Sequence, residues 1–227
     1  MYFLVSHKRR LIVGWSAKSA CSTLKYYFLK SEGEEIHEIP DIHVICKKYQ
    51  PELRNSFINY RKFLFVRNPY TRLISFYLNR YFANNLKDKG LTTFTKLVNY
   101  LYESGFTFDE HHLELQTRNI ELFERHNFEW DKIYPIEDIN KNILENTFHV
   151  DIDDLKVGSH FHTTSSDYKQ PVYDLEHAEL MRLKDTKRLP LYKNFYNNTL
   201  KSKVYSIYLN DFRFFDQSQI KYDIDVL

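Results

Sequence analysis

The sequence predicts an α/β fold, a central parallel sheet flanked by helices on both faces. Two observations carry that prediction. Apolar, strand-like runs at Leu11–Trp15 and Phe63–Val66 each lead into a short polar loop and then into a stretch of helical periodicity. Along the rest of the chain, short apolar runs keep alternating with amphipathic stretches, the pattern of helices that connect parallel strands. With 227 residues, 18 Tyr and 18 Phe, the chain has the length and the bulky side chains for a well-filled core.

After Leu11–Trp15, residues Ser22–Lys30 read as a helix with Leu24 and Phe28 one turn apart. Ser31–Pro40 is polar and acidic and reads as a connection. Asp41–Cys46 alternates like a short strand that reaches the sheet with His43 near its end. Phe63–Val66 is a second buried strand, and Pro69 suits the first turn of the helix after it. In that helix Leu73, Tyr77 and Tyr81 share a stripe expected to pack on the sheet. Phe94, Leu97, Val98 and Leu101 mark a clearer amphipathic helix. Lys132–Ile136 is expected as a strand, with Asp138 capping a helix to about Asn146. Tyr173–Lys184 and Asn198–Asn210 are the last predicted helices, the final one aligning Leu200, Val204 and Tyr208. No repeat or linker divides the sequence, so a single domain over 1–227 is expected.

Bulk properties narrow the function. A formal charge of +2 gives no basis for nucleic-acid binding. Lys8-Arg9-Arg10 and Arg61-Lys62 read as solvated strand ends. Two cysteines cannot build a disulfide framework, and a reducing, cytoplasmic setting fits them. No apolar run approaches the roughly 20 residues that span a bilayer, so a soluble protein without a membrane anchor is expected.

Two loops carry the chemistry. In Ser16–Leu24, a strand gives way to small residues, one lysine and a helix N-terminus, a physical device for holding a phosphate-like anion. Backbone N–H groups of Ser19, Ala20, Cys21, Ser22 and Thr23 would face the anion, the serine and threonine hydroxyls would add donors, and Lys18 would supply charge. A nucleotide-triphosphate loop needs Gly-x-x-x-x-Gly-Lys-Ser/Thr. Here Ile12 and Ala17 stand where the glycines belong, which weighs against a kinase. In the second segment, Arg67–Tyr77, Arg67 ends a strand and Ser75 follows about two helical turns later. Both could reach one anion, Arg67 through its forked guanidinium, whereas Arg72 reads as a surface salt-bridge residue. Two such devices imply a ligand with two anionic ends.

Lys18–Thr23 together with Phe63–Tyr77 closely resembles the sulfotransferases that use 3′-phosphoadenosine 5′-phosphosulfate (PAPS), in particular the carbohydrate, chondroitin-type O-sulfotransferases. Asp109–His112, Lys132–Ile139 and Tyr205–Phe215 extend the likeness over most of the chain. Ala17 stands in place of the usual proline, and Ala20 where glycine is common. The resemblance implies a three-layer P-loop-like fold, PAPS as cofactor and a hydroxyl acceptor, most naturally a sugar. It implies that the first motif cradles the 5′-phosphosulfate, with Lys18 neutralising charge on the leaving group, and that Arg67 and Ser75 bind the 3′-phosphate. His43 is the first choice for the general base and His111 the second. The segment His160–Ser166 falls where relatives fold a loop over the cofactor. No recognisable metal-ligand set is present; His160/His162 and His43/Cys46 are only pairs. The competing readings are a small-molecule nucleotide kinase with a degenerate loop and a non-catalytic nucleotide-binding protein.

Overall fold

Five consecutive buried residues, Leu11–Trp15, form strand β2 at the heart of a four-stranded sheet. The computed structural model describes residues 1–36, 39–50, 57–79, 83–118, 128–151, 164–165, 168, 170–186 and 189–222. They fall into two compact units, Met1–Arg67 with Gln116–Ser159, and Asn68–Leu115 with His160–Leu227.

The first unit holds the sheet, in the order β1 (Tyr2–Ser6), β2, β3 (Arg61–Val66), β4 (Lys132–Pro135). β1 runs antiparallel to β2 through the turn at residues 7–10, whereas β2, β3 and β4 are parallel, with Trp15 opposite Phe65 and Val66 opposite Pro135. This is the mixed α/β, P-loop-like architecture the sequence predicts, with β1 added at an edge. Leu11, Val13 and Trp15, alternate residues of β2, share one core with Phe65 and with Leu24, Tyr27 and Phe28 of helix α1 (Cys21–Glu32). Ile42 of helix α2 (Ile39–Ile45) and Leu144 and Phe148 of helix α7 (Lys141–Phe148) complete it. Gly14 belongs to the alternate set, and a Cβ there would lie 2.6 Å from Cη2 of Trp130. Its lack of a side chain lets the indole approach the strand.

Three readings of this unit are corrected. Asp41–Cys46 is not a strand: it is most of α2, running into a 3₁₀ turn at Cys46–Tyr49. Ile42 and Cys46, one helical turn apart, are buried, while Val44 is 67% exposed; a strand would have put Val44 on the face of Ile42. Arg61-Lys62 is not a solvated end either. Lys62 is buried, its ammonium donating to the carbonyls of Ile58 (2.8 Å) and Tyr60 (2.9 Å). The cap of α7 is Asn140, whose side chain accepts from the Ile143 N–H, while Asp138 sits in a preceding 3₁₀ turn.

The second unit is mainly helical: α3 (Pro69–Tyr77), α4 (Ala83–Asp88), α5 (Phe94–Ser104), α6 (Glu110–Leu113), α8 (His177–Asp185), α9 (Asn198–Ile207) and α10 (Leu209–Gln217). A short parallel pair, β5 (Thr164–Ser165) and β6 (Leu189–Pro190), accompanies them. The predicted final helix is thus two helices, and Tyr173–Lys184 is helical only from His177. Leu73 and Tyr77 of α3 pack with Phe94, Leu97 and Leu101 of α5 and Leu200 and Val204 of α9; Tyr81 lies outside the described residues. Arg72, expected at the surface, is 1% exposed. Its guanidinium donates to the carbonyls of Glu114 (2.7 Å) and His112 (3.1 Å) and lies 6.0 Å from the Tyr208 ring centroid. It fixes the chain after α6 from inside the core.

His177 is buried, donates Nε2–H to the Tyr77 carbonyl at 2.8 Å and meets the Tyr77 ring edge-on. Burial, seconded by Lys184, holds its pKa below the ordinary 6.5 against the opposing effect of that hydrogen bond. The unfolded chain therefore takes up the proton first, and the stability His177 contributes is present above about pH 6.5 and lost as pH falls through the folded value. We expect the melting temperature to drop as pH is lowered from about 7 to 5, and to drop less steeply in His177→Gln, as read by thermal unfolding at each pH.

Candidate active site

The turn between β2 and α1 takes its shape from two left-handed residues, Lys18 (φ 67°) and Ala20 (φ 54°). A left-handed L-residue costs about 1 kcal/mol or more. Ala20 is the N-cap of α1, yet its methyl group offers no acceptor to the first turn. A left-handed residue followed by right-handed Cys21 is the dihedral pair that turns successive N–H groups to one side. No acidic side chain occupies the first turn of α1. The positive end of a twelve-residue helix is thus left without a side-chain counter-charge of its own.

The sequence gives no warning of the residue that organises this turn. Gln116, 2% exposed, uses its side-chain amide as a short piece of β-ladder against Arg67. Oε1 accepts the Arg67 N–H at 2.9 Å and Nε2 donates to the Arg67 carbonyl at 2.7 Å. The same Oε1 accepts the hydroxyls of Ser16 and Ser19, each at 3.1 Å, and those two hydroxyls are 2.9 Å apart. Arg67 closes the arrangement by donating Nη1–H to the Lys18 carbonyl at 2.9 Å. The structure therefore brings together the tip of β3 and the loop after β2, the two predicted motifs, at Lys18 and Arg67. Ser19 is fully buried, with its hydroxyl and its N–H both turned inward, the latter to the Ser16 carbonyl. It shapes the loop. No motif marks Gln116, because a lone glutamine in a loop has no spacing to read.

The remaining predicted residues are placed as follows. Cys21, Ser22 and Thr23 form the first turn of α1, with Thr23 buried. His43 is on α2 in the first unit, its Nδ1 3.1 Å from Lys25 Nζ of α1. Ser75 is on α3 in the second unit and 7% exposed. His111 is exposed on α6, its ring edge-on to His112 at 4.5 Å. His112, which the sequence reading did not single out, donates Nδ1–H to the Asp109 carboxylate at 2.6 Å. An Nδ1–carboxylate bond fixes the tautomer whose Nε2 lone pair points the other way. Of the segment His160–Ser166, residues 160–163 and 166 lie outside the described residues. Among the described residues no group of three or more metal-binding side chains converges, and no helix is long and apolar enough to cross a membrane.

Truncating Gln116 would leave the Arg67 N–H and carbonyl and the serine hydroxyls to find other partners in a buried place. Each orphaned group costs about 1–3 kcal/mol. Gln116→Ala should lower the unfolding free energy by about 2–4 kcal/mol in a denaturant titration; an unchanged midpoint would show that the amide holds nothing.

Comparison with protein-family models matches residues 1–218 to the Sulfotransferase family. Comparisons with curated proteins and with solved structures returned no match. The matched span takes in both loops, the whole sheet and every helix of the chain described above. The chain belongs to the sulfotransferase family, enzymes that transfer a sulfuryl group from a sulfate donor to an acceptor hydroxyl.

Proposed function

We propose that the chain transfers a sulfuryl group from PAPS to a hydroxyl of a carbohydrate, with residues 1–227 working as one domain. The supporting observation is the Ser16–Ala20 turn opening onto α1, joined through Gln116 to Arg67. Residues there suit the donor: an uncapped helix N-terminus without acidic neighbours, beside Lys18, favours an anion. When bound, PAPS supplies an activated sulfuryl group on a phosphate leaving group.

In this reading the first-turn N–H groups of α1 and the hydroxyls of Ser22 and Thr23 orient the 5′ anion. Ser19 and Ala20 give the turn its shape, and Cys21 contributes its backbone N–H. Lys18 stabilises the charge that grows on the leaving phosphate, the largest electrostatic demand of the step. Arg67 and Ser75 take the 3′-phosphate. A guanidinium has five N–H donors in a fork, and one of those of Arg67 donates to the Lys18 carbonyl. His43 and His111 are the residues assigned to the acceptor side. A sugar acceptor rests on the likeness of the two loops to carbohydrate sulfotransferases. A cytoplasmic setting is supported by the two free thiols, Cys21 and Cys46, the latter pushed up to about 12 by burial and so unreactive. No observation favours a kinase.

The test combines binding and turnover. Calorimetric titration should give tight binding of adenosine 3′,5′-bisphosphate and none of ATP. Transfer of labelled sulfate from PAPS to a panel of mono-, di- and oligosaccharides should fall about 10²–10³-fold in Lys18→Ala. Arg67→Ala should weaken the bisphosphate roughly ten- to a hundred-fold. Wild-type turnover by Lys18→Ala, or preference for ATP, would overturn the reading.

A further inference from the structure

We infer that Gln116 is the positioning residue by which the site tells a nucleotide with two anionic ends from one with a single anionic end. That role rests on the reading in which the Lys18 loop and Arg67 take opposite ends of PAPS. All the residues concerned belong to the first unit. β2 and β3 run parallel, and their ladder ends at the pair Trp15 and Phe65. Beyond that pair one chain turns into the anion loop at Ser16, and the other reaches Arg67 after Val66. Ligands of open α/β sheets bind in the crevice outside the carboxyl ends of the strands. The Gln116 side chain, 2% exposed, bridges the split between these two strand ends. It is bonded to Arg67 on one side and to Ser16 and Ser19 on the other.

Nε2 donates to the Arg67 carbonyl at 2.7 Å and Oε1 accepts the Arg67 N–H at 2.9 Å, so turning the amide over would break both bonds. The Ser16 and Ser19 hydroxyls each lie 3.1 Å from Oε1, which brings three donors to an oxygen with two lone pairs. Because those hydroxyls are 2.9 Å apart, one bonds Oε1 and the other donates to its neighbour, and every proton has an acceptor. Arg67 Nη1 donates to the Lys18 carbonyl at 2.9 Å. A closed circuit from Gln116 to Arg67, Lys18, Ser19 and back thus fixes the span between the start of α1 and the guanidinium. Helix α1 itself is held from elsewhere, through Leu24, Tyr27 and Phe28 in the core. Loss of the amide would therefore leave the helix N-terminus in place but tie Arg67 to the loop by its own long side chain alone. A second contact on one ligand strengthens binding only when both contacts can be made together. Without Gln116 the 3′-phosphate should lose its advantage, while the 5′-phosphate keeps its helix end.

Calorimetric titration of the full-length protein with adenosine 3′,5′-bisphosphate and with adenosine 5′-monophosphate reads the advantage of the second anion as a ratio of dissociation constants. In the parent the bisphosphate should bind roughly ten- to a hundred-fold more tightly. In Gln116→Met, measured below its melting temperature, the ratio should fall to about threefold or less, with monophosphate affinity changed by less than about threefold. A glutamine that only stabilises the fold would lower the melting temperature and leave the ratio in place. The double variant Ser16→Ala/Ser19→Ala removes the loop arm together with both hydroxyls, so it orphans neither and keeps the Arg67 rung. It should compress the ratio by about threefold or more. A parental ratio in folded Gln116→Met, or in the serine double variant where Gln116→Met does not fold, would overturn the inference. A parent that binds the two nucleotides equally would overturn the reading of Arg67 itself, and the role of Gln116 with it.

Discussion

A single buried amide holds the proposed site in one piece. Gln116 comes from a segment that is neither strand nor helix, yet it bonds both backbone groups of Arg67 and both serine hydroxyls that flank Lys18. A β-strand tip ordinarily ends in unpaired N–H and C=O groups, and these must find partners once water is excluded. Here the side-chain amide supplies the missing ladder rung. The same oxygen draws the preceding loop against that rung, so the positions of Lys18 and Arg67 are set by one shared acceptor. Lys18 and Arg67 are thereby tied to the same buried side chain.

Around that point the first unit is built to keep a helix end open. The fully buried β2 and the α1 face that carries Leu24, Tyr27 and Phe28 fix where α1 begins. The turn accepts left-handed geometry at two non-glycine residues rather than capping the helix with a side chain. Most helices place Ser, Thr, Asp or Asn at this position because the cap is worth about 1 kcal/mol. An alanine there forgoes that stabilisation, and strain at Lys18 and Ala20 adds to the cost. Local destabilisation of this kind is a common property of ligand-binding loops.

The architecture was legible where burial is two-sided or strongly periodic. β2, β3 and α5 show their character in apolar runs or a helical stripe, and the positions of both loops followed from them. What escaped was decided by tertiary context. Asp41–Cys46 alternates as well as a strand does, and only the packing of Ile42 and Cys46 under α1 selects the helix. Arg72 and Lys62 look like surface cations, but each spends its charge on backbone carbonyls inside the protein, a role that leaves no trace in spacing. β1 was missed because a short strand at a sheet edge carries little pattern. Gln116 had no signal at all.

Histidine identity was the hardest feature to read, since ten are present and sequence says nothing of their tautomers. Their bonding partners separate them into opposite chemical types. Lys25 Nζ lies 3.1 Å from Nδ1 of the exposed His43. A carboxylate accepts from Nδ1 of His112, and a carbonyl accepting from Nε2 makes His177 part of the framework. The second atom of each ring is therefore defined by what touches the first.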